Sequence, residues 1–263
     1  MLNPDNARQA AQFLSTLGRE GRRIAHLPEA MRPATRADGY AVQAHYEAAS
    51  AQPLFGWKIA ATSIAGQQHI HVDGPLAGRI VAERVVPAGG SFTLAGNQML
   101  VCEGEFAFRM GRDLAPRAAP YTPAEVKDAV ATLHPAIEVP NSRFLPFEEA
   151  GTAQLIADNA CAEYFMLGEA APDTWRSLDL VRHIVKGTDG RGAVHDGIGS
   201  NVLGDPLVAL AWIANELSSL GITLKTGQVV TTGTCFKPFA VAPGAQVSID
   251  YGVLGLIGAR FRG

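Results

Sequence analysis

Glu103 and Glu105 stand two residues apart in an apolar, aromatic-rich run, Leu100-Val-Cys-Glu-Gly-Glu-Phe-Ala-Phe108. Side chains at i and i+2 of a strand leave on the same face, so a strand here projects both carboxylates together. A solvent-facing strand would carry such a pair without cost. Glu138 narrows that alternative, because it sits between Ile137 and Val139 in a second apolar segment bracketed by Pro135 and Pro140. Gathering carboxylates in apolar surroundings is prohibitive unless a cation or protons neutralise them. Oxygen-only donor sets suit hard divalent ions. Three such ligands on an octahedral Mg²⁺ or Mn²⁺ leave positions for water or substrate oxygens, the setting in which a metal polarises a carbonyl.

Other residues could join that chemistry. Lys58 is a lone lysine in the apolar run Gly56-Trp-Lys-Ile-Ala60. Its stem could snorkel to the surface, or its ammonium could bind a substrate carboxylate or deliver a proton. His69-Ile-His71-Val-Asp73 invites comparison with paired-histidine zinc sites, but the other histidines follow no matching plan. The segment 62–68 reads better as a loop with a short helix, a lid in which Asp73 could serve as a base or support one. In Thr231-Thr-Gly-Thr234 a glycine flanked by threonines at a strand end can offer N–H and hydroxyl donors to an anion. An ordinary turn would look the same. There is no G-x-S-x-G elbow, no phosphate-binding G-x-x-x-x-G-K-[ST] and no G-x-G-x-x-G after a strand. The three cysteines, Cys102, Cys161 and Cys235, are widely spaced and read as buried free thiols in a reducing compartment.

The elements that must position these residues follow from periodicity. Asn3-Pro4-Asp5 opens a helix carrying Ala7, Ala10, Ala11, Leu14 and Leu17, closed by Gly18 and Gly21. Thr35 caps a second helix running to Ala49. Residues 1–54 are thus a helical segment, and 55–263 a strand-rich body. Strands are expected near 56–60, 80–82, 98–110, 136–139, 161–167, 180–186, 229–232, 246–251 and 256–261, with helices over 122–133 and 206–220. Strict βαβ alternation is missing, so the class is α+β rather than a doubly wound sheet or an eight-fold barrel. With 263 residues, 47% hydrophobic and 18% charged, the chain can bury a sizeable core. Its net charge of −3 argues against nucleic acid or an anionic membrane as partner. No apolar run approaches the length of a membrane span and the N-terminus lacks a signal-peptide layout, so a cytoplasmic location is expected.

At these residues the chain resembles the fumarylacetoacetate hydrolase superfamily, in the branch of 2-keto-4-pentenoate hydratases and 4-oxalocrotonate decarboxylases. The likeness runs from Leu27 to the C-terminus. It is carried by Gly56-Trp-Lys-Ile-Ala-Ala-Thr-Ser63, Glu103-Gly-Glu105, His134-Pro-Ala-Ile-Glu138, Ile156-Ala-Asp-Asn-Ala160 and Thr232-Gly-Thr234. The branch often has proline where this chain has Gly104, which keeps the two-residue spacing of the acids. The loop 67–73 also differs in detail. The resemblance implies a mixed β-roll with a helical N-terminal segment, a homo-oligomer, and Mg²⁺ or Mn²⁺ held by Glu103, Glu105 and Glu138. It implies a substrate role for Lys58; in the mechanism this suggests, Asp73 or a neighbouring lid group would handle the water, and Thr234, Gly233 and Asn159 would place a small 2-oxo or 2-hydroxy-dienoate acid. The implied reaction is hydration to a 4-hydroxy-2-oxo acid in aromatic-compound catabolism. Decarboxylation of a 2-oxo diacid, or C–C hydrolysis of an acylpyruvate using His69 or His71, are the alternatives on the same metal.

Overall fold

The computed structural model describes residues 1–263. Helix α1 (Pro4–Glu20) starts where the Asn3 side chain accepts from the Asp5 N–H and stops at Gly21, whose φ of 65° suits glycine. Helix α2 (Arg36–Ala48) opens with a capping box between Thr35 and Asp38. A five-residue strand β1 (Gly56–Ala60) leads to the short helix α3 (Ile64–His69), capped by Ser63, and then to β2 (Leu76–Ile80). There follow β3 (Ser91–Thr93), β4 (Val101–Met110), α4 (Pro123–Ala129), β5 (Val130–Val139), α5 (Thr152–Ala157) and β6 (Tyr164–Leu167). The remainder is β7 (Ile184–Thr188), β8 (Val194–Ile198), α6 (Pro206–Ser219), β9 (Val229–Thr234), β10 (Phe239–Ala240), β11 (Gln246–Asp250) and β12 (Leu256–Arg262).

The strands form two sheets. The larger has the order β2-β1-β9-β4-β5-β6, with β10 pairing onto β4, and the smaller has the order β3-β12-β11-β7-β8. The larger sheet curls until its edges meet. The Asn159 side chain accepts from the Arg79 N–H on β2 at 2.7 Å and donates to the Arg79 carbonyl at 2.8 Å. The chain leaving β2 also pairs with β6, where the Val86 N–H donates to the Phe165 carbonyl at 2.8 Å. The result is a roll with an outside and an inside.

Alternation along each strand divides the two surfaces. Cys102, Phe106, Phe108 and Met110 of β4 point outward with Trp57 and Ile59 of β1, and join a cluster of 58 buried hydrophobic residues. That cluster also takes in Ala7, Leu14 and Leu17 of α1, Leu210 and Leu217 of α6, and Val247 and Ile249 of the second sheet. The inside holds five residues, Ile80, Ala107, Ala136, Phe165 and Val229, beside the glutamates. Gly104 lies where the two sheets approach: a Cβ there would stand 2.7 Å from the Phe236 ring.

The α+β class and the roll are as expected, while several boundaries move. The helix expected over 122–133 stops at Ala129, and Val130–Val139 is strand. The Thr122–Glu125 capping box starts the helix as read, but antiparallel pairing with β4 captures Val130 to Leu133. Residues 180–183 precede β7 rather than forming it, and β8, a half-exposed hairpin partner of β7, was not foreseen. All three cysteines are buried and free. No helix is long and apolar enough to cross a membrane.

Candidate metal centre and active site

The inside of the roll brings the acids together through strand register. Glu103 lies directly opposite Glu138 in the antiparallel β4–β5 pair, and Glu105 is two residues along the same face. One carboxylate oxygen from each of Glu103, Glu105 and Glu138 falls within 4.8 Å of the others. Glu105 and Glu138 are buried, and Glu103 is partly so. Lys58 arrives from β1 with its side chain 4% exposed and its Nζ 3.1 Å from Glu138 Oε2. That contact is ionic and lies outside hydrogen-bond alignment, while the ammonium donates to the Ala160 carbonyl at 3.1 Å.

The electrostatics are those of crowded like charges. Burial, then the charge of Glu138, pushes the Glu103 carboxyl up to about 7. Burial, with Glu138 and Glu103 adding to it, drives Glu105 well above the usual carboxylate range, against the opposing Thr231 hydrogen bond. Burial works against the Lys58 ammonium, yet the charges of Glu138, Glu103 and Glu105 outweigh it and raise its pKa. Glu105 Oε1 and Glu138 Oε1 are buried with no hydrogen-bond partner. Orphaned carboxylate oxygens are costly, and a hard divalent cation would satisfy them. The donor set therefore fits a hard divalent cation.

A bulge in β9 completes the seat. Across β4, Glu105 pairs with Thr234 but Ala107 pairs with Thr231, so β9 carries one extra residue there. Gly233 lies in this bulge at φ 102°, and a Cβ on it would stand 2.0 Å from the Thr62 hydroxyl. The Gly233 N–H donates to Glu105 Oε2 at 2.6 Å, and the Thr231 hydroxyl donates to the same oxygen. The anion expected at the threonine–glycine strand end is thus served first by Glu105 itself. Thr234, half-buried at the strand end, donates its hydroxyl to the Phe236 carbonyl at 2.7 Å.

Two expected roles need correction. Asp73 is not carried into the roll: its side chain is 78% exposed and lies 3.4 Å from the Arg36 guanidinium. Pro75 and Glu216 hold the same arginine, so the residues after the lid are fastened to α2 and α6. Asn159 is close to the site, but its amide is spent on the Arg79 backbone, closing the roll. The segment expected to form a lid does contain the short helix α3. His69 and His71 meet Glu148 there, at 3.8 Å to its carboxylate and 3.1 Å to its carbonyl, at the molecular surface.

Some contributors were missed by sequence reasoning. The Ala160 carbonyl receives Lys58 because Asn159, Ala160 and Cys161 adopt left-handed φ values of 56°, 50° and 61°. Such strain persists only when the surroundings impose it. Asp158, fully buried, supplies part of the restraint: it accepts from the Ser142 hydroxyl and the Arg143 N–H, each at 2.8 Å, and pairs with the Arg143 guanidinium. The polar pair Asp158-Asn159 amid apolar residues was a visible signal, though not of this purpose. A cavity of about 850 Å³ between α1, α2 and the seam of the roll borders Glu138 and Asn159.

Comparison with known proteins finds relatives along nearly the whole chain. The family model described as fumarylacetoacetate (FAA) hydrolase C-terminal matches residues 31–262. 2-Keto-4-pentenoate hydratase 1 of Dechloromonas aromatica (strain RCB) is 31% identical over 256 residues, covering 96% of this chain and 95% of that one. 2-Hydroxyhexa-2,4-dienoate hydratase of Comamonas testosteroni is 28% identical over 262 residues, 95% of this chain and 98% of that one. Among solved structures, 4-oxalocrotonate decarboxylase from Pseudomonas putida G7, complexed with magnesium and adipate, matches with a TM-score of 0.89 at 26% identity over 99% of both chains.

Proposed function

The chain belongs to the fumarylacetoacetate hydrolase C-terminal family, and from that premise we propose that it is a divalent-metal-dependent hydratase. Its substrate is a small 2-hydroxy-2,4-dienoate of the kind met in aromatic-compound breakdown, converted to a 4-hydroxy-2-oxo acid. The observation that carries this reading is the convergence of a buried lysine on three carboxylates, two of which, Glu105 and Glu138, have buried oxygens without partners. Relatives aligned along nearly the whole chain are dienoate hydratases.

Glu103, Glu105 and Glu138 would hold the ion, Mg²⁺ or Mn²⁺, which when bound supplies Lewis-acid polarisation of the substrate's C2 oxygen. Lys58 then faces that oxygen from the Glu138 side, fixed by the Ala160 carbonyl, and stabilises negative charge developing on it. Ketonisation places a proton on C5, and water adds its hydroxyl at C4 and its hydrogen at C3. The buried walls of the roll, Ala107, Ala136 and Phe165 among them, exclude bulk water from the charged cluster. In this reading the Thr234 hydroxyl would turn from the Phe236 carbonyl to the substrate's carboxylate, and α3 with its neighbours would cover it. A homo-oligomer is part of the same proposal.

A second reading, decarboxylation of a 2-oxo diacid, is favoured by the likeness to the decarboxylase structure. One experiment separates them. The Mg²⁺-loaded protein is offered 2-hydroxypenta-2,4-dienoate and 4-oxalocrotonate, and dienol absorbance and CO₂ are followed. Loss of the dienol without CO₂ is expected, with Glu105→Gln at least ~100-fold slower. Preferential CO₂ release from the diacid selects the second reading, and full activity after chelation sinks the metal role.

A further inference from the structure

Glu105 is held asymmetrically. Its Oε2 receives two hydrogen bonds, from the Thr231 hydroxyl and from the Gly233 N–H at 2.6 Å, while its Oε1 is buried without a partner. Both donors are immobile. Thr231 is fully buried in β9, paired with Lys58 on one side and Ala107 on the other. Gly233 is trapped in the bulge under Thr62. An oxygen already bound by two donors is poorly placed to share the same cation with its twin. Calcium takes 6–8 oxygens and readily uses both oxygens of a carboxylate, whereas Mg²⁺ and Mn²⁺ sites are octahedral and use one.

We propose that Thr231, acting with the Gly233 N–H, is a positioning residue that fixes Glu105 as a one-oxygen ligand, and that this lock makes the seat discriminate against calcium. The inference rests on the metal reading above. Removing the Thr231 hydroxyl frees the carboxylate to rotate and chelate, which weakens the octahedral ion and spares or favours the larger one.

The test is calorimetric titration of the chelator-stripped full chain with Mn²⁺ and with Ca²⁺, in wild type, Thr231→Val and Thr231→Ser. Thr231→Val is expected to weaken Mn²⁺ by about 10- to 100-fold and Ca²⁺ by much less, lowering the ratio of the two affinities. Thr231→Ser, which keeps the hydroxyl, is expected to restore the wild-type ratio, as a packing role for the methyl would not. A folded Thr231→Val protein with an unchanged ratio overturns the proposal. Should the valine chain fail to fold, Thr231→Ala reads the same ratio. Mn²⁺ affinity left intact by Glu105→Gln would overturn the metal seat itself, a result distinct from failure of the lock.

Discussion

Lys58 is the residue on which the charge balance of the site turns. It is almost fully buried, and its ammonium stands against Glu138 with Glu103 and Glu105 close by. Removing one partner of a buried ion pair leaves an uncompensated charge and costs ~3–5 kcal/mol. Lys58→Met is expected to lower the unfolding free energy of the metal-free protein by about that amount at pH 8. At pH 5 the loss should be smaller, because Glu103 and Glu105 can take up protons instead. Urea unfolding at the two pH values checks this. The same variant, loaded with Mg²⁺, is expected to turn over dienoate at least ~100-fold more slowly, since it loses the charge opposite the C2 oxygen.

At the scale of elements, the site depends on how the roll is closed and on one irregular strand. Asn159 joins the left-handed turn after α5 to β2 through two hydrogen bonds, and the next carbonyl receives Lys58. Gly78 permits that approach, because a Cβ there would meet the Asn159 carbonyl at 2.5 Å. Asn159→Ala leaves the buried Arg79 N–H and carbonyl unpaired, a loss of about 1–3 kcal/mol for each unsatisfied group. Stability should fall accordingly in denaturant melts, and kcat should fall with it as Lys58 loses its rest. If Asn159 instead only touched substrate, KM would rise while stability stayed unchanged. The β9 bulge works in the same way: by adding a residue it turns the Gly233 N–H and the Thr231 hydroxyl onto one oxygen of Glu105.

For the whole molecule, Glu103 and Glu105 couple folding to pH. The Glu103 carboxyl, near 4.5 when unfolded, sits at about 7 in the folded chain, chiefly through burial, and Glu105 is shifted the same way. Between those values the native state binds more protons than the unfolded state, so stability falls as pH rises. The metal-free protein is expected to lose on the order of 5 °C in Tm between pH 5 and pH 8, with Mg²⁺ removing most of the loss. Metal binding displaces those protons, so affinity should rise over the same window. Differential scanning calorimetry with and without chelator reads both effects. A flat profile in the metal-free protein would mean that the carboxylates are not crowded as the structure has them.

Local order in the chain determined a good deal. The period of two in Cys102-Glu-Gly-Glu-Phe106 placed Glu103 and Glu105 on one face, and the caps at Asn3, Thr35, Thr122 and Asp205 started their helices where the structure has them. Such signals lie within a few residues of what they specify. Tertiary structure decided everything that depends on pairing between distant strands. It set Glu138 opposite Glu103, turned Thr231 and Gly233 onto Glu105, spent Asn159 on β2 and left Asp73 outside with Arg36. It also ended α4 early, because β4 offered Val130 a better partner than another helical turn. Register is fixed by burial across the whole sheet and not by neighbours along the chain, which is why the acids could be picked out from the sequence and the groups that aim them could not.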